Sequence, residues 1–189
     1  MSKWITDIIA EKKELLDELE KCGYLKMIDD VGECMISSLK NGGRIILAGN
    51  GGSAADAQHF AGEIVGRFLM ERESLPAISL CTDPSVVTCI ANDYGYEEVF
   101  SRQLSGNGKK GDVFVGISTS GNSENIIRAI EVAHKKGITV VGLLGKDGGK
   151  IKDMCDYALV VPSKSTPRIQ EIHTFSVHLL CEMIEKGIF

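Results

Sequence analysis

Over the first forty positions the apolar residues follow a helical period. Trp4, Ile5, Ile8, Ile9, Leu15, Leu16 and Leu19 recur among Glu and Lys, which predicts a helix over 2–21, and after Gly23 a second over about 24–40. Past Gly42-Gly43 the pattern changes. Short, nearly all-apolar runs at 44–47, 77–80, 112–117, 139–144 and 157–161 predict strands covered on both faces. Between or after them, 53–68, 84–92, 96–104, 122–136 and 168–186 predict helices. Strand and helix in alternation imply a parallel α/β sheet, with a crevice outside the carboxyl ends of the strands where the strand order reverses. No internal repeat or low-complexity linker interrupts the 189 residues, so the simplest partition is one domain: helices over 1–41 and an α/β core over 42–189. The hairpin's apolar stripe is wide for a terminal element. It packs either on its own domain or, as we expect, against another subunit.

Composition narrows the function classes. With 43% hydrophobic and 25% charged residues the chain is ordinary globular protein, and at a formal charge of -5 it has no basic footprint for nucleic acid. Met1-Ser2-Lys3-Trp4 leads into a charged helix and no apolar run approaches a membrane span, so a cytoplasmic protein without a membrane partner is expected. Cys22, Cys34, Cys81, Cys89, Cys155 and Cys181 form no C-x-x-C pair and lie mostly among apolar neighbours, as reduced core thiols do.

Two turns at strand ends have unusual chemistry. The first, Ala48-Gly49-Asn50-Gly51-Gly52-Ser53, lacks the third glycine of a dinucleotide loop, and neither turn has the lysine of a Walker loop. The second runs from Gly116 to Asn125 and gathers the hydroxyls of Ser118, Thr119, Ser120 and Ser123 at the start of a helix. Helix capping needs one such residue. Four, at the positive end of a helix dipole, suit a phosphate.

His59 and Glu63 stand four residues apart on one helix face, and Gln170, His173 and His178 share another helix; His134 reads as a solvated surface residue. The same spacing also serves a solvated pair or a core histidine, so residue types alone leave the choice open. Gln170 and His178 would lie about 12 Å apart along a straight helix and about 80° around it. Zinc bonds of about 2 Å cannot reach both. If both bind one ion, the helix is irregular or they come from different subunits.

The segments "LAGNGGSAADAQHFAGEIVGRF", "IANDYGYEEVFSRQ", "GDVFVGISTSGNSENIIRAI", "GLLGKDGG" and "RIQEIHTFSVH" resemble the phosphoheptose isomerases of the sugar isomerase (SIS) domain family over nearly the whole chain. The resemblance implies a flavodoxin-like three-layer α/β sandwich on a five-stranded parallel sheet, with the N-terminal helical hairpin added. It implies a homotetramer with active sites between subunits, and conversion of the phosphosugar D-sedoheptulose 7-phosphate to D-glycero-D-manno-heptose 7-phosphate. That reaction is the first step towards nucleotide-activated heptoses of lipopolysaccharide or capsule. One Zn2+ per subunit is implied, on His59, Glu63, Gln170 and His178, and substrate contacts fall on Asn50, Gly51, Gly52, Ser53, Asn92, Asp93, Ser118, Thr119, Ser120, Ser123 and Gln170. Pro167 stands where some members carry Asp.

Aldose–ketose interconversion through a cis-enediol needs a base, an acid and charge stabilisation. Glu63 is expected as base and His178 as acid, with Asp93 sharing the base role if Glu63 is held by metal. The alternatives are a non-catalytic SIS regulator or replication-associated protein, which could lose these groups, and a different isomerase or transferase acting on hexulose phosphates or amino sugars.

Overall fold

The computed structural model describes residues 2–189. Two helices, α1 (Lys3–Lys21) and α2 (Tyr24–Lys40), precede the alternating part: β1 (Ile45–Gly49), α3 (Gly52–Val65), β2 (Ala77–Ser79), α4 (Pro84–Tyr94), α5 (Val99–Asn107), β3 (Val113–Ser118), α6 (Glu124–Lys136), β4 (Thr139–Gly145), α7 (Gly149–Lys152), β5 (Tyr157–Val161) and α8 (Thr166–Ile188). The five strands are all parallel in the order β2-β1-β3-β4-β5. That order is the flavodoxin one, and it puts the topological switch between β1 and β3.

Both faces of the sheet are covered, which is why its strands lack polar alternation. Ile45, Leu47, Val113, Val115 and Ile117 point into one layer, with buried residues of α2, α3 and α8. Ile46, Ala48, Phe114, Val140 and Leu144 point into the other, with α5 and α6. The three-layer sandwich expected for the SIS domain is therefore present, with the N-terminal helices added to the α3/α8 side.

Several boundaries differ from the sequence reading, each for a physical reason. α3 stops at Val65 instead of running to 68, because the Phe68 N–H donates to the Glu185 carboxylate and the Ile64 carbonyl accepts from Arg72 Nη1. α8 starts at Thr166, since Pro167 lies in the first turn, where a missing N–H costs nothing. Residues 96–98 form a 3₁₀ turn ahead of α5, and the short α7, held by buried Ile151, was hidden in a glycine-rich stretch that reads as loop. The cysteines are less buried than expected: Cys181 is buried, Cys34, Cys81 and Cys155 partly so, and Cys22 and Cys89 exposed. Among the described residues no helix is long and apolar enough to cross a membrane.

Two elements leave apolar surface bare. In α1 only Leu15 and Leu19 are buried, while Trp4, Ile8, Ile9 and Leu16 face outward. α4 has no buried residue at all.

Candidate active site

The loops leaving β1 and β3 meet at the switch point. Asn50 and Asn125 exchange two amide hydrogen bonds of 2.9 Å, and the Tyr96 hydroxyl donates to Asn50 Oδ1 at 2.9 Å. These bonds tie the first glycine turn to the start of α6. They border a cleft of about 420 Å³ whose walls include Asn50, Tyr96, Ser123, Asn125 and Arg128. A larger hollow, about 580 Å³, opens between Lys146–Asp147 and Pro162–Lys164, but it contains none of the sequence-predicted site residues. The switch-point cleft is the better candidate because both the glycine turn and the hydroxyl loop border it.

The hydroxyl loop is built from neighbours. Ser118 Oγ lies 2.9 Å from Ser123 Oγ and 3.5 Å from Ser120 Oγ. Asn122 N donates to Ser120 Oγ, and Asn122 Oδ1 accepts from the Lys150 N–H. Gly121, at φ +65°, approaches the Gly148 carbonyl so closely that any Cβ would collide with it. Ser123 is the N-cap of α6, yet its side chain caps no helix N–H. Capping therefore does not explain the cluster; the hydroxyls of Ser120 and Ser123 gather on that of Ser118 beside the positive end of α6. Thr119 and Ser120 are partly buried.

His59 and Glu63 do not share this crevice within one chain. α3 descends from the strand ends, so they lie about 9 and about 15 Å along its axis from Ser53. There they meet α8: Glu63 Oε1 is 3.1 Å from His59 Nε2, and His178 Nε2 is 3.4 Å from His59 Nε2. The two imidazoles meet edge to face, with centroids 5.0 Å apart, and Phe68 stacks on His178 at 5.5 Å. Gln170 is elsewhere. Its amide packs against Gly52, where a Cβ would strike it, and the uninterrupted α8 separates it from His178 by about 12 Å.

Tetrahedral zinc with bonds of about 2 Å sets neighbouring donors roughly 3.3 Å apart, close to both the His–His and the His–Glu spacing. The donor chemistry fits, but the set is open: among the described residues no group of three or more His, Cys, Asp and Glu is placed to hold a metal. Closing the set would take a rearrangement of these three side chains and a further ligand, such as Gln170, from outside this cluster.

Asn92 and Asp93 sit at the exposed end of α4, the Asn92 amide donating to Asp93 Oδ1 at 2.8 Å. Both are outside the cleft wall, four and three residues from Tyr96 respectively. His134 is exposed, and His173 is a core residue whose Nε2 meets the Leu144 carbonyl at 3.0 Å. The sequence reading missed Tyr96, Asn125 and Arg128 in the cleft and Phe68 beside His178. Asn125 carries the clearest signal, as an amide on the apolar side of α6's first turn; a single Phe after an arginine carries none.

A parallel sheet of order 2-1-3-4-5 with a seryl loop at its switch point defines a flavodoxin-like α/β domain whose candidate site lies where such folds bind ligands. The family model described as SIS domain matches residues 9–145. The phosphoheptose isomerase of Aneurinibacillus thermoaerophilus is 56% identical over 98% of this chain and 92% of its own length. The solved phosphoheptose isomerases of Neisseria gonorrhoeae and Francisella tularensis superpose with TM-scores of 0.92 and 0.93, at 44% and 36% identity, covering 97% and 98% of this chain and 98% and 100% of theirs. The chain belongs to the SIS domain family, in its phosphoheptose isomerase branch.

Proposed function

We infer that this protein is an aldose–ketose isomerase converting D-sedoheptulose 7-phosphate to D-glycero-D-manno-heptose 7-phosphate. The observation that carries the reading is an anion cradle and a His–Glu–His cluster together in one chain, a chain 56% identical to a phosphoheptose isomerase. A purely sensing SIS domain has no use for the second feature.

The hydroxyls of Ser118, Thr119, Ser120 and Ser123 and the start of α6 grip the phosphate, and Asn50, Gly51, Gly52 and Ser53 approach the sugar from the other lip. Phosphate binding is remote from the reacting carbons, so its energy orients them. Glu63 takes the proton from C1 while the carbonyl oxygen on C2 receives one from His178, giving the cis-enediol. Glu63 then returns its proton to C2 as the C1 hydroxyl gives its own to His178, which restores the imidazole's starting state and leaves the aldehyde. Asp93, three residues from the cleft wall, shares the base role when Glu63 is engaged. His59, Glu63 and His178, with Gln170 of a neighbouring subunit, would hold a zinc ion, which when bound polarises the carbonyl and steadies the enediolate.

The cleft and the cluster complete one another between subunits of a homotetramer. The descent of α3, the straightness of α8, the bare stripe of α1 and the unburied α4 all favour that assembly. Six unpaired thiols accord with the cytoplasm, and the product feeds nucleotide-activated heptose synthesis for surface polysaccharide.

The test is direct: purified protein with sedoheptulose 7-phosphate, followed by NMR for the aldose, with fructose 6-phosphate in parallel. Formation of the heptose aldose alone supports the reading; turnover of fructose 6-phosphate alone replaces the substrate, and turnover of neither removes the enzyme assignment. Zinc analysis of the same sample and of His59→Ala tests the metal, whose content should fall in the variant.

A further inference from the structure

The segment after α3 carries an ion pair that the reaction does not use. Arg72 and Glu185 are each only 1% exposed, and Arg72 Nε donates to Glu185 Oε1 at 2.9 Å. The carboxylate is enclosed by donors: the N–H groups of Phe68 (2.8 Å), Leu69 (2.8 Å) and Met70 (3.0 Å) converge on it as well. Burial alone would raise the Glu185 pKa, but these N–H groups and the guanidinium hold it below the usual carboxylate value. Arg72 spends its remaining donors on carbonyls around the end of α3: Nη1 on Ile64 (3.0 Å), Gly66 and Glu73, and Nη2 on Glu63 (2.8 Å).

The two ends of this latch reach the residues that carry and flank the two groups assigned to proton transfer. One end grips the backbone carbonyl of Glu63. The other fixes the backbone of Phe68, whose ring stacks on His178 at 28°. Glu185 and His178 are seven residues apart on α8, so they share a face, and the same helix that carries the imidazole anchors the loop that covers it. A buried pair with every donor satisfied is a rigid fixture, whereas losing one partner leaves an unpaired buried charge.

We propose that the Arg72–Glu185 pair, acting through Phe68 and the Glu63 carbonyl, is a positioning device that sets the orientation of His178 and Glu63 and so governs the rate of isomerisation, not the affinity for sugar. It rests on the reading of Glu63 and His178 as the proton-transferring pair. Phe68, Arg72 and Glu185 are positioning residues; none has a role in the chemistry itself.

The experiment compares kcat and KM of the assembled enzyme on sedoheptulose 7-phosphate for Phe68→Leu, Phe68→Tyr, Arg72→Lys and Glu185→Gln, with Glu63→Gln alongside. Phe68→Leu, Arg72→Lys and Glu185→Gln should each lower kcat about tenfold or more while KM stays within about twofold. Phe68→Tyr, which keeps a flat ring, should retain the wild-type kcat; Leu fills comparable space without one, so a role in filling space would be served by either. If the buried-pair variants do not fold, the two Phe68 variants decide alone, because they leave the latch intact. Wild-type kcat in Phe68→Leu, equal losses in Phe68→Leu and Phe68→Tyr, or a rise in KM alone would overturn the proposal. Loss of turnover in Glu63→Gln with unimpaired Phe68→Leu and Glu185→Gln refutes positioning only. Full turnover in Glu63→Gln removes the reading beneath it.

Discussion

The hydroxyl loop at the switch point and the His–Glu–His cluster on the flank of α3 are built in opposite ways. In the loop, Ser118 reaches Ser120 and Ser123 across two and five positions of chain, and one glycine turn and one helix start supply the geometry. In the cluster, His59 meets His178 across 119 positions and Phe68 reaches Glu185 across 117. A short-range site takes its geometry from one turn and one helix start, whereas a long-range one takes it from the packing of separate elements. Gripping a phosphate tolerates the first construction, since several donors share one charge, while proton transfer needs the second, because its reach is one hydrogen bond.

The largest expected effect tests the flank. Glu63→Gln and His178→Gln should each lower kcat by about 10²–10⁴ without changing the far-ultraviolet circular dichroism, as removal of a general base or acid does. A tenfold or smaller loss in either would strip that residue of its role. In the crevice, Ser123→Ala should lower kcat/KM by roughly 10–100-fold, the scale of one hydrogen bond to a charged group. The loss should vanish on sedoheptulose lacking phosphate. An equal loss on the unphosphorylated sugar would take Ser123 out of the phosphate grip and blur the contrast between the two regions.

A smaller effect sharpens what is unusual about Ser123. Asp83, the N-cap of α4, accepts from the N–H groups of Ser85 (2.9 Å) and Val86 (3.1 Å). Asp83→Ala should therefore cost about 1 kcal/mol in urea unfolding, as loss of a working cap does. Ser123 caps nothing through its side chain, so Ser123→Ala should show no such capping loss.

The smallest effect concerns His173. Burial holds its pKa below the usual value, with the Leu144 carbonyl and the charge of Asp56 acting the other way. The folded state thus resists protonation, while the unfolded chain takes up a proton as pH falls through about 6.5. Stability is then full above that pH and is lost as pH drops towards the folded pKa. His173→Gln removes the titration, and its thermal midpoint should fall less than the wild type's between about pH 7 and about pH 5. Parallel midpoint curves would show that His173 does not contribute to acid sensitivity.

Much of the fold was legible because its signals are local. The apolar runs of all five strands and the break at Gly42-Gly43 are properties of consecutive residues, as is the crowding of hydroxyls between Ser118 and Ser123. Errors arose where a distant group overrides the local pattern. The apolar period of α3 continues through Phe68, but Glu185 captures that residue's N–H and turns the chain away. Residues chosen by type fared unevenly: the structure brings His59, Glu63 and His178 together, but leaves Gln170 at Gly52 and Asn92 and Asp93 exposed at the end of α4.

The sequence by itself determined the alternation of strands and helices, the glycine turn and the hydroxyl-rich turn at the strand ends and the donor types available for acid–base chemistry, because periodicity, turn residues and functional groups are written position by position. Only the tertiary structure decided which donors meet. The rise of α3 carries His59 and Glu63 away from the cleft their helix begins in, the straight α8 parts Gln170 from His178, and the buried Arg72–Glu185 pair sets the end of α3 and the place of Phe68. The first two follow from helical rise within one element, whereas the Arg72–Glu185 pair and the meeting of His59 with His178 join positions more than a hundred residues apart, and no local pattern encodes them.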